Sequence, residues 1–130
     1  MEPKRILIAD DSPTVRMALT RVLQKAGYDV AGVADGGEAV NRLQSERFDL
    51  LLLDVEMPVM NGFEVLKLIR ENKVKNPAPV LVVTGARKSL GEVHELRGLG
   101  AQGYVDKGMA EAELLFRIQR VFQGIDDTLA

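Results

Sequence analysis

Five residues of this 130-residue chain stand out by type and spacing: Asp10, Asp11, Asp54, Thr84 and Lys107. Asp10 and Asp11 follow RILIA, Asp54 ends FDLLLLD, Thr84 ends PVLVVT, and Asp106-Lys107 follows GYV. An apolar run such as FDLLLLD reads as a strand buried on both faces, and a carboxylate at its end is costly to bury without a partner. Several carboxylates brought together raise one another's pKa unless a cation neutralises them. Oxygen donors without His or Cys favour a hard cation, and a few carboxylates with room for water favour Mg²⁺. A carboxylate beside that ion, with an ammonium and a hydroxyl within reach, forms a set for phosphoryl transfer. The carboxylate attacks while the positive groups neutralise the transferring oxygens.

Each residue alone has a plainer reading. Asp-Asp-Ser-Pro starts a helix, with Ser12 as cap and Pro13 at the first helical position. Asp54 could cap the turn after its strand, Thr84 could satisfy backbone, and Lys107 could be solvated surface. What sets them apart is that all follow apolar runs.

Those runs must therefore be placed. RILIA (5–9), YDVAGVA (28–34), FDLLLLD (48–54), PVLVVT (79–84) and GYV (103–105) are rich in Val, Ile and Leu and bounded by turn or charged residues, so each reads as a strand. Between them lie helical patterns: Pro13–Ala26, Gly37–Ser45, Gly62–Asn72, the weak Leu90–Leu99, and Ala110–Phe122. Strand and helix alternate five times, which implies right-handed crossovers and a parallel sheet covered on both faces. FDLLLLD and PVLVVT should be interior strands, whereas YDVAGVA, diluted by Gly32 and alanines, suits an edge. In such sheets ligands bind beyond the carboxyl ends of the strands. The five residues would share that rim, while Asp35-Gly36-Gly37 reads as a turn into a helix.

Composition bounds the rest. The chain is 46% hydrophobic and 28% charged, as expected of one soluble globular domain. A net charge of −2 gives no electrostatic footprint for nucleic acid. The absence of cysteine excludes disulfides, thiolate catalysis and zinc-thiolate sites. No segment approaches the run of about 20 apolar residues that a membrane span needs, so a cytoplasmic location with no membrane contact is expected.

The set Asp10-Asp11, Asp54 with Met57-Pro58 and Gly62, Thr84 and Lys107 resembles the receiver domain of two-component response regulators, most of all its stand-alone chemotaxis type. The resemblance implies a flavodoxin-like doubly wound (βα)5 fold with a five-stranded parallel sheet in the order 2-1-3-4-5. It implies a receiver domain over residues 1–124, a short tail over 125–130 and no output domain. By resemblance Asp54 is the phosphoacceptor, loaded from a sensor histidine kinase or phosphotransfer protein. Asp10, Asp11 and Asp54, with the backbone carbonyl of Glu56, match the Mg²⁺ ligands. Thr84 matches the hydroxyl that swings towards the phosphoryl group, Lys107 the lysine that contacts it, and Tyr104 the aromatic that reports the switch. The readout would be a protein target bound through the fourth helix, fifth strand and fifth helix. Such a protein catalyses only its own phosphorylation and dephosphorylation and is not otherwise an enzyme.

Two positions depart from the family. Gly108 follows Lys107 where the family has proline, often cis; without proline the cis form costs roughly 3 kcal/mol more, so a trans peptide and a differently shaped loop are expected. Glu56 adds a carboxylate that could turn towards the site or pair with Lys107, and with Ala86 it would tune phosphoryl lifetime. Other signals are set aside. GLGAQG (98–103) matches G-x-G-x-x-G, but follows a helix and leads into a strand, the reverse of a dinucleotide site. His94 reads as a solvated helix residue and RENKVK (70–75) as an exposed helix end. Two alternatives remain: an interaction module that is never phosphorylated, and a small Mg²⁺-dependent phosphohydrolase. The second lacks any insertion long enough for a lid.

Overall fold

Leu50 to Leu53 show how the sheet is built: Leu50 and Leu52 face one layer, Leu51 and Leu53 the other, and all four are buried. In the computed structural model, which describes residues 2–85 and 90–124, this run is the centre of a five-stranded parallel sheet. The strands are β1 (Arg5–Ala9), β2 (Asp29–Val33), β3 (Leu50–Leu53), β4 (Val80–Thr84) and β5 (Gly103–Asp106). The helices are α1 (Pro13–Lys25), α2 (Gly36–Ser45), α3 (Gly62–Arg70), α4 (Leu90–Gly98) and α5 (Glu111–Phe122). The order is β2-β1-β3-β4-β5, with every pairing parallel, which is the expected doubly wound fold. β2 is an edge and β3 and β4 are interior, as their composition indicates.

The two faces carry separate cores. Leu7, Leu51, Leu53 and Val82 pack with Ala39 and Leu43 of α2, Val65 and Leu66 of α3, and Leu96 of α4. Ile6, Ile8, Leu52, Leu81 and Val105 pack with Leu23 of α1 and with Leu114 and Ile118 of α5. At about 25 cal/mol per Å² of apolar area, such packing is the main term holding helices to sheet.

Many ends of the elements lie one or two residues from where the sequence places them, several for a visible reason. Phe48 and Asp49 lie outside β3. Phe48 lies under the guanidinium of Arg5, whose carbon is 4.6 Å from the ring centroid, and Asp49 Oδ2 accepts from the Arg5 amide at 2.7 Å. Asp35 caps α2 by accepting from the Glu38 amide, so this strand exit is indeed a turn into a helix. α3 begins with a reciprocal capping box between Asn61 and Glu64 and stops before Asn72, whose φ is +59°. β5 extends through Asp106, which lies in register with Thr84. The glycines of 98–103 end α4 and turn the chain: the Ala101 amide donates to the Leu96 carbonyl at 3.1 Å, and Gly100 has φ +103°. His94 is exposed, as are all the polar residues of 70–75, where Val74 alone is buried. The tail expected over 125–130 lies outside the described residues, as does Ala86.

Candidate functional site

The parallel sheet delivers the five residues to one rim. β1 ends at Ala9, and the next amide, Asp10, still donates to the Val33 carbonyl at 3.1 Å. The Asp54 amide donates to the Ala9 carbonyl at 2.9 Å, which holds the first and third strand exits side by side. Asp10, Asp54 and Thr84 are the buried polar residues among those described, with 1%, 4% and 2% of their surface exposed. Buried polar groups demand partners, and for the two carboxylates these are Lys107 and main-chain amides.

Lys107 supplies the positive charge. Its Nζ donates to Asp54 Oδ2 at 3.0 Å and lies 2.8 Å from Asp10 Oδ2. The second contact is an ion pair outside hydrogen-bonding geometry, so Asp10 Oδ2 is a buried oxygen without a hydrogen-bond partner among the described residues. The remaining oxygens are held by the main chain: Asp10 Oδ1 accepts from the Ser12 amide at 2.9 Å, and Asp54 Oδ1 from the Glu56 amide at 3.2 Å. Asp54 thus caps its turn as well as facing the lysine. Burial pushes the Asp54 carboxyl above the ordinary carboxylate value, and Asp10 adds to this, while Lys107 and the Glu56 amide only partly offset it. Burial pulls the Lys107 ammonium down, but Asp10 and Asp54 together outweigh it and hold it above the usual lysine value.

Ligand oxygens of Asp10, Asp11 and Asp54 lie within 4.8 Å of one another, Asp11 being the exposed member. Three carboxylates, one carrying a buried oxygen that accepts no hydrogen bond and none accompanied by His or Cys, fit a hard divalent cation. Glu56 is exposed and lines a neighbouring cleft of about 710 Å³, together with Asp11, Met57, Pro58, Asn61, Phe63 and Glu92.

The loop carrying Val55 to Asn61 is fixed by close approach at two glycines. A Cβ on Gly62 would lie 2.6 Å from the Asp54 carbonyl oxygen, and one on Gly36 2.1 Å from that of Met60. The Gly36 amide donates to this Met60 carbonyl at 3.1 Å, tying the loop to the start of α2. Between them Val59 has φ +68°, a strained value for a β-branched residue, and is 83% exposed.

The Lys107–Gly108 peptide is trans. The glycine keeps an amide that proline would lack, and it donates to Asp106 Oδ1 at 2.7 Å. Lys107 and Met109 amides donate to the Thr84 and Asp106 carbonyls at 3.0 and 2.9 Å, closing the turn that carries the lysine. Tyr104 is half-buried in β5, beside Val93, Leu96 and Arg97 of α4. The sequence reading passed over Arg16, whose Nη1 donates to the Asp10 carbonyl at 2.6 Å.

Comparison with known proteins gives the family and supports the fold. The model of the response regulator receiver domain matches residues 6–119, and the chain belongs to that family. It is 36% identical to protein PilH of Pseudomonas aeruginosa over 92% of this chain and 98% of PilH. It is 33% identical to the alkaline phosphatase synthesis transcriptional regulatory protein PhoP of Bacillus subtilis, over 92% of this chain and 49% of PhoP. The chain thus spans nearly all of the first relative and about half of the second. Among solved structures it is similar to a CheY-like receiver domain protein from Methanospirillum hungatei (TM-score 0.84, 30% identity, 94% and 95% of the two chains). The chemotaxis protein CheY4 of Vibrio cholerae is also similar (TM-score 0.83, 38% identity, 92% and 98%).

Proposed function

We propose that this receiver domain is a phosphorylation-controlled switch whose acceptor is Asp54. The observation that carries the reading is the Lys107 ammonium held between Asp54 and Asp10 at the rim where four strands end. In the transfer, an Asp54 carboxylate oxygen attacks the phosphorus of a donor phosphohistidine. The P–O bond forms as the P–N bond breaks, and the imidazole leaves with the electron pair and takes up a proton from solvent. In hydrolysis water attacks the phosphorus of the acyl phosphate, the Asp54 carboxylate leaves with the electron pair of the P–O bond, and inorganic phosphate is released. Lys107 releases Asp54 to hold the incoming phosphoryl oxygens, and Thr84, buried at the end of β4, donates its hydroxyl to them.

Asp10, Asp11 and Asp54 and the Glu56 carbonyl would hold Mg²⁺, which when bound neutralises charge on the transferring oxygens. The donor is a sensor histidine kinase or a phosphotransfer protein, and the chain turns over no external substrate. The readout is a protein target bound on the α4, β5 and α5 face. Half-buried Tyr104 lies there against α4, and Arg117 of α5 donates to its carbonyl at 3.2 Å. None of the described helices is long and apolar enough to cross a membrane. A cytoplasmic location follows from the donor, which draws its phosphate from ATP.

The test is the intact mass after incubation with Mg²⁺ and a small-molecule phosphodonor, beside an Asp54→Asn control. A single phosphoryl adduct that requires the metal and is absent from the control is expected. If neither an adduct nor a stable beryllofluoride complex forms on folded protein, the domain is an interaction module instead.

A further inference from the structure

We propose that Arg16 is a positioning residue for the acidic site, and that Gly32 is the vacancy in β2 through which it reaches. The proposal rests on the reading of the site as Mg²⁺-dependent. A glycine inside a strand weakens it and often marks a place where another group comes close. Here that group is Arg16. A Cβ on Gly32 would lie 3.4 Å from Arg16 Cδ and 3.9 Å from the Ile8 carbonyl oxygen, which is ordinary van der Waals contact, so the stem lies against this position and a side chain reaching beyond Cβ would press on it. The half-buried arginine stem therefore runs over the edge strand at a position that has no side chain.

What it reaches is main chain. The ladders of β1 end at Ala9, opposite Val33 on one side and Leu53 on the other. The Asp10 carbonyl lies beyond them, and Arg16 Nη1 donates to it at 2.6 Å, a charge-assisted bond. The clamped peptide is the one joining Asp10 to Asp11, so one guanidinium sets the backbone beneath two of the three carboxylates. The Ser12 amide, one residue further on, then fixes Asp10 Oδ1 at 2.9 Å. Arg16 also places a permanent positive charge behind this cluster of acids.

Two variants of the full chain separate this from a merely structural role. Arg16→Met keeps an unbranched stem and good helix propensity but removes the donor. Gly32→Val puts a residue favoured in strands, with methyl groups beyond Cβ, against the arginine stem. Mg²⁺ binding to the unphosphorylated protein is measured by calorimetry, beside the thermal midpoint. Arg16→Met should bind about tenfold more weakly, the low end for a partner outside the ligand set because the bond is to backbone. Gly32→Val should also bind more weakly, with a midpoint equal to or above that of the wild type. In both variants the Asp11 and Ser12 amide resonances should move while that of Leu66 in α3 stays. Should the wild type bind Mg²⁺ and both variants bind equally well, the positioning role is overturned. A wild type that takes no Mg²⁺ overturns the function reading, and this inference with it. If Arg16→Met does not fold, Arg16→Gln, which shortens the side chain and removes the charge, is measured in its place and decides.

Discussion

Asp54 is held in a state that favours its own protonation. Burial raises its pKa, Asp10 raises it further, and the contacts from Lys107 and the Glu56 amide do not restore it. A carboxyl whose folded pKa exceeds its unfolded value binds its proton more tightly in the native state. Its contribution to stability is therefore fully present below the ordinary carboxylate range and is lost as pH rises through the folded value. At neutral pH, without divalent ions, the ionised Asp54 is a net cost to the fold. Asp54→Asn should then be more stable than the wild type by about 1 kcal/mol at neutral pH, an ordinary magnitude for a single substitution. The difference should shrink as pH falls below the carboxylate range. Urea unfolding of both proteins at the two pH values, in the presence of a chelator, measures it. A variant less stable than the wild type at neutral pH would mean that the Lys107 bond outweighs burial and repulsion. The identity of Asp54, Thr84 and Lys107 was legible in sequence because each follows an apolar run. That Lys107 would bridge Asp10 as well as Asp54 was not, since the bridge depends on the shape of the turn at Gly108.

At the scale of elements, the helices are unequally anchored. α5 buries Leu114 and Ile118 and packs Leu115, Val121 and Phe122 against the same core. In α4 the buried side chains among those described are Val93 and Leu96, and Gly91 and Gly98 lower its intrinsic helix propensity. Helices with few buried apolar contacts open at lower free energy than the core. Native-state hydrogen exchange should therefore show α4 amides exchanging faster than those of α5, at least tenfold if the difference exceeds about 1.4 kcal/mol. Equal protection in the two helices would remove α4 as the adaptable element of the proposed output face. The weakness of α4 was legible in the sequence as a helix with a single apolar pair. The existence of every strand and helix was legible too, because hydrophobic period and turn residues agree. The exact ends were not: Phe48 and Asp49 belong to the run FDLLLLD read as one strand, yet lie outside β3 and meet Arg5. That contact joins residues more than 40 apart, and no local pattern encodes it.

At the scale of the whole molecule, the sheet separates what stabilises from what reacts. Both cores lie along its faces, while repelling acids are gathered at its carboxyl-terminal rim. The strand order 2-1-3-4-5 makes this possible by placing β1 and β3 side by side, which brings Asp10 and Asp54 together although 44 residues of chain separate them. Alternating elements alone do not fix that order, and in the sequence only the resemblance to receivers supplied it. Arg16 shows the limit of this legibility, since its partner is a backbone carbonyl that carries no sequence signal. Gly32 was visible, but as an edge-strand dilution and not as space for another residue. A rim built this way should convert metal binding into global stability. A ligand that binds only the folded state adds RT ln(1 + [L]/Kd), about 2.7 kcal/mol at a free concentration about 100 times Kd. For a domain of this length that corresponds to a rise of roughly 10 °C in Tm. Thermal unfolding in Mg²⁺, against a monovalent salt of equal ionic strength, should show this rise in the wild type and a smaller one in Asp54→Asn. The comparison at equal ionic strength matters because screening alone would relieve some repulsion among Asp10, Asp11 and Asp54. If the monovalent salt raised Tm as far as Mg²⁺ does, the three carboxylates would be acting as diffuse charge, and the metal site would have to be given up.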